Sequence, residues 1–78
     1  MNEAEKRVVK AEAYLEAYNA IEFKIGNFIQ LIEWNTENIN QSKADGFEIA
    51  DDDYRVLENI KLTEKIEVYK QVEKEIMK

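Results

Sequence analysis

Between Tyr14 and Ile39 the chain repeats one pattern: Tyr14, Tyr18, Ile21, Ile25, Phe28, Ile32, Asn35, Ile39. The steps alternate between four and three residues. That is the spacing of an α-helix burying one seam, and seven of the eight positions are apolar or aromatic. A strand cannot use this period, because its side chains alternate every two residues. The rest of the sequence is read as the cover for that seam.

Little punctuation interrupts it, since Pro is absent and Gly occurs twice. Asn2 followed by Glu5 has capping-box spacing. Residues 3–13 then consist mostly of good helix formers. The first helix is therefore predicted over about residues 3–40, roughly 57 Å of rod. Gly26 falls inside it at a cost of about 1 kcal/mol relative to Ala. The apolar spacing passes through Gly26 without changing phase, which predicts one helix, bent at most. The connection is predicted over 41–50, with Asp45-Gly46 as its turn. Phe47 and Ile49 are expected to fold back over the end, Ile49 stapling against Tyr54.

Asp51, Asp52 and Asp53 are expected to open a second helix over 52–77, as acids in a first turn complement the helix dipole. Its apolar residues, among them Leu57, Leu62, Ile66, Tyr69, Val72 and Ile76, cover more than one face. Lys61 and Lys65 interrupt the stripe, with stems long enough to flank a seam while the ammonium reaches water. A moderate loop makes the two helices antiparallel. A turn near Asp45 sets Ile25 against Ile66 and Tyr18 against Val72. The second helix is the shorter, so the first ten or so residues of the first have no partner within the chain. The expected fold is all-α, a single domain built as a long antiparallel two-helix hairpin and assembled with a second copy into a bundle.

Size and composition bear on the assembly. Seventy-eight residues bury only a thin core. With no Cys and no His, neither a disulfide nor a common zinc site can support it. Self-association remains. Val9, Phe23 and Trp34 fall opposite the main seam, with Leu31, Ala13 and Ala20 beside them. A hairpin cannot cover both sides of its own first helix. Val9, Phe23, Leu31 and Trp34 are thus the candidate face, serving either a homo-oligomer core or a different protein, since aromatics anchor many interfaces.

Catalysis has little material. The one serine, Ser42, has no His or Cys to activate it. No Gly-rich phosphate loop is present. Helical Glu pairs such as Glu33 and Glu37 sit among lysines in the manner of a solvated surface. No cofactor is expected, and the run Asp51–Asp53 lacks further ligands at calcium-loop spacing. Seventeen acids against eleven bases, net charge −6, disfavour nucleic acid. No apolar run reaches the roughly 20 residues of a membrane span, and the absence of Cys suits the cytoplasm.

The layout pairs a YLEAYNAIEFKI helix with an ENIKLTEKIEVYKQVEKEI helix across a polar spacer. It is similar to the paired helices of many small phage-encoded proteins, including the N-terminal parts of some phage late-transcription regulators. The likeness is one of helical periodicity, without a shared motif. These features predict a non-catalytic protein-binding chain, an acidic adaptor or inhibitor of phage or mobile-element type that occludes a partner surface. Two other readings stand beside it. One is a ligand-binding, nucleotide-sequestering oligomer with Tyr14, Tyr18 and Tyr69 lining a pocket between protomers and Lys24 or Lys70 meeting an anion. The other is a structural assembly subunit.

Overall fold

A computed structural model describes residues 1–77. Two antiparallel helices, α1 (Glu3–Ala44) and α2 (Tyr54–Ile76), form a rod of 66 × 16 × 13 Å. No strand occurs among the described residues. The all-α hairpin read from the spacing is the fold found.

Each helix starts and stops where local chemistry allows. The Asn2 side chain accepts from the Glu5 backbone N–H at 2.8 Å, capping α1. Gly26 neither breaks nor ends it. At the far end Gly46 takes φ +90°, the left-handed conformation that glycine adopts without penalty. Phe47 N–H then bonds back to Ser42 O and Gly46 N–H to Lys43 O, both at 3.0 Å. This is the Schellman closure, and it satisfies the last carbonyls of the helix. It carries α1 four residues past the expected end at 40.

Two further expectations are corrected. Asp51 and Asp52 lie in a turn before α2, and Asp53 is its N-cap, so no acid occupies the first turn. The pivot of the hairpin also moves toward the C-terminus. Phe28 meets Tyr69 and Asn35 meets Glu58 and Asn59, about one turn away from the register expected. Of the residues expected to fold over the end, Ile49 is half-buried, whereas Phe47 and Tyr54 stay exposed.

The seam itself holds. Tyr18, Ile21, Ile25, Phe28, Ile32, Asn35 and Ile39 are the half-buried or buried positions of α1's repeat, while Tyr14 is exposed. On α2 the matching positions are Asn59, Leu62, Ile66, Tyr69, Glu73 and Ile76, again at alternating three and four. Tyr69 packs edge-on against Phe28, ring centroids 5.1 Å apart. Among the described residues only Ile25 and Leu62 are buried apolar side chains, as expected where each helix has one neighbour. Residues 1–16 are exposed throughout, so the N-terminal arm of α1 runs on without α2 beside it. No helix among the described residues is long and apolar enough to cross a membrane.

Candidate interaction surface

Because α2 covers one side of α1, whatever stands opposite is left to solvent. Phe23 is 70% exposed and Trp34 67%, and Val9 and Leu31 are each about half exposed. The four residues do not gather into one patch. Leu31 and Trp34 share a shallow groove with Asn27 and Gln30. Phe23 lies about 16 Å along the axis from Trp34, and Val9 about 20 Å beyond Phe23. The surface is a stripe with three separate apolar points. A shallow groove on the N-terminal arm joins Val9 to Met1, Ala4 and Val8.

Exposed apolar groups also occur on α2, where sequence spacing placed them on a second face. Val68 and Val72 form an apolar groove with Ile21 and Tyr69. Of the three tyrosines considered for a ligand pocket, Tyr69 is engaged with Phe28. Tyr14 has the Lys10 ammonium 5.7 Å over its ring. Tyr18 lies toward Glu22, whose carboxylate raises the phenol's pKa by hydrogen bonding.

Two polar clusters lie along the hairpin, and the one near the turn ties its helices together. Near the turn, the Asn35 amide donates to Glu58 Oε1 at 2.8 Å and to Asn59 Oδ1 at 3.1 Å. The Tyr54 hydroxyl donates to Glu58 Oε2. These donors, Tyr54 first and Asn35 second, hold the Glu58 carboxyl below its ordinary pKa. Arg55 forks onto both oxygens of Asp53 at 3.0 Å. Its other arm donates to Ser42 Oγ at 2.9 Å and Asn38 O at 3.0 Å, tying the start of α2 to the end of α1. The hydrogen bonds from Arg55 lower the pKa of Asp53. Asn35 was legible as the polar member of the repeat, but the parts of Arg55, Asp53 and Glu58 were not.

The second cluster lies at the open end, where the seam position after Tyr69 is Glu73, only 8% exposed. Its carboxyl faces that of Glu22, and hydrogen bonding to Glu22, burial and repulsion all raise its pKa, against a smaller opposing effect of Lys70. Glu73 Oε2 is buried without a hydrogen-bond partner. Among the described residues no three His, Cys, Asp or Glu side chains converge as a metal set. Compared with protein-family models, curated proteins and solved structures, the chain matches none.

Proposed function

We propose that this chain is a non-catalytic protein-interaction module, an acidic helical adaptor or inhibitor that occludes a partner by laying the outward side of α1 on it. The observation that carries the reading is the exposure of Phe23 and Trp34 on one continuous helix. Rigid aromatic groups supply contact area at low entropic cost and are frequent binding anchors. Surface area points the same way. A globular monomer of 9.2 kDa exposes about 4,900 Å², and this chain exposes 6397 Å². The surplus, about 1,500 Å², exceeds the roughly 800 Å² that one partner contributes to a standard protein interface. The net charge of −6 favours encounter with a basic surface.

The test is Phe23→Glu with Trp34→Glu, compared with the unaltered chain in affinity capture from its host. Loss of the captured partner with unchanged circular dichroism supports the reading. Retained capture removes this face from consideration. A second reading, self-association into a four-helix bundle, is favoured by the unaccompanied arm over residues 1–16. Sedimentation equilibrium distinguishes the two: a bundle gives a dimer mass that the double substitution dissociates, and an adaptor remains a monomer until its partner is added.

A further inference from the structure

We propose that Glu73 and Glu22 form a proton-operated latch at the open end of the hairpin. With Glu73 protonated, the last turns of α2 lie on α1. With Glu73 ionised, that end parts and uncovers the seam at Tyr18 and Ile21.

The geometry begins with position. Glu73 stands at the four-step after Tyr69 and the three-step before Ile76, where the repeat calls for an apolar side chain. A buried carboxylate is costly unless something donates to it. Here the group opposite is a second carboxyl, and two ionised carboxylates have no donor between them. Glu73 Oε2 is itself buried and has no hydrogen-bond partner. A proton on Glu73 removes the buried charge and turns the group into a donor for Glu22. The charged and titratable groups facing the site are Glu22 and Tyr18 from α1 and Lys70 from α2. Tyr18 keeps its own proton at neutral pH, its phenol being raised further by Glu22. Lys70 opposes the effect only in part.

Mechanically the end is weak. Beyond Glu73 the seam has one more half-buried residue, Ile76. Opening from Tyr69 onward gives up little apolar contact, and helix ends are where local unfolding is least costly. The pKa of Glu73 is raised in the closed form. The stabilisation is therefore complete below the ordinary glutamate pKa of about 4.3. It is lost as pH rises through the raised value. In that window opening grows by up to about tenfold per pH unit, then levels off.

Amide hydrogen exchange of the intact chain, corrected for the intrinsic rate at each pH, reads this directly. Protection over residues 70–76 is expected to fall with rising pH while that around Leu62 stays level. Glu73→Gln supplies a permanent donor to Glu22, so the same amides should stay protected at every pH. Glu22→Gln should do the same from the other side, which covers the case where one variant packs badly. Level protection of residues 70–76 in the unaltered chain from pH 4 to 8 overturns the latch. So does an unchanged pH dependence in both amide variants.

Discussion

At the turn end of the hairpin Asp53 and Glu58 each receive donors: Arg55 for the one, Tyr54 and Asn35 for the other. At the open end Glu73 enters the same seam and meets Glu22. All three acids are near the interface of α1 and α2, yet their pKa values move in opposite directions. The difference shows that a carboxyl in a helical seam is neither stabilising nor destabilising by itself. The group across from it decides. It also implies that the two ends respond to pH with opposite sign, the turn end loosening in acid and the open end above the ordinary carboxylate range.

Both ends depend on the short apolar middle, which sets the largest expected effect. Leu62→Ala removes one of two buried apolar side chains and should cost about 3 kcal/mol. Urea unfolding measures the loss, and hydrogen exchange should show protection falling at both ends together. If one end keeps its protection, the ends are independent of the middle and the comparison fails at its root.

Arg55→Ala should act on one end alone. It removes the fork on Asp53 and the ties to Ser42 and Asn38. A fall of about 5 °C in Tm is expected, the scale of one or so hydrogen bonds in a domain this small. Exchange should quicken around the turn and stay unchanged over residues 70–76. Equal quickening at both ends would mean that the Arg55 cluster holds the whole hairpin.

Acid sharpens the contrast. Asp53 and Glu58 have lowered pKa values when folded. Their contribution is complete above the ordinary carboxylate pKa and is lost as pH falls through the lowered values. Stability against urea should therefore decline as pH falls below about 4. Glu58→Gln should make that decline shallower, because its share no longer titrates. An unchanged acid limb in Glu58→Gln would assign the decline to Asp53 or to overall charge.

These opposed ends were only half legible beforehand. The four-three repeat of α1 identified the seam because burial on a helix is periodic in the sequence itself. The outward stripe of Phe23 and Trp34 followed, since a helix in a hairpin has a single neighbour. Register was another matter. It depends on how the connection closes, and the Schellman turn at Gly46 carried α1 on to Ala44, so that Phe28 meets Tyr69 and Asn35 meets Glu58 and Asn59, about a turn from the register expected. Glu73 was passed over for the same reason: it reads as a polar interruption until register sets it against Glu22. Arg55 gave no periodic signal, because its bonds go to a cap, a hydroxyl and a carbonyl fixed by the turn.

The smallest expected effect isolates α1 from either end. Gly26 lies on the exposed side of the helix with helical geometry, and an added Cβ would meet nothing within 4 Å. Gly26→Ala should then raise stability by about 0.5–1 kcal/mol by lowering the backbone entropy of the unfolded chain. Because it touches no cross-helix contact, the pH response of both ends should keep its shape while the whole stability curve rises. A gain confined to one pH range would tie Gly26 to one of the carboxyl clusters. A loss would mean that the outward side of α1 at this point is already covered, as a close helix–helix approach by a second copy requires.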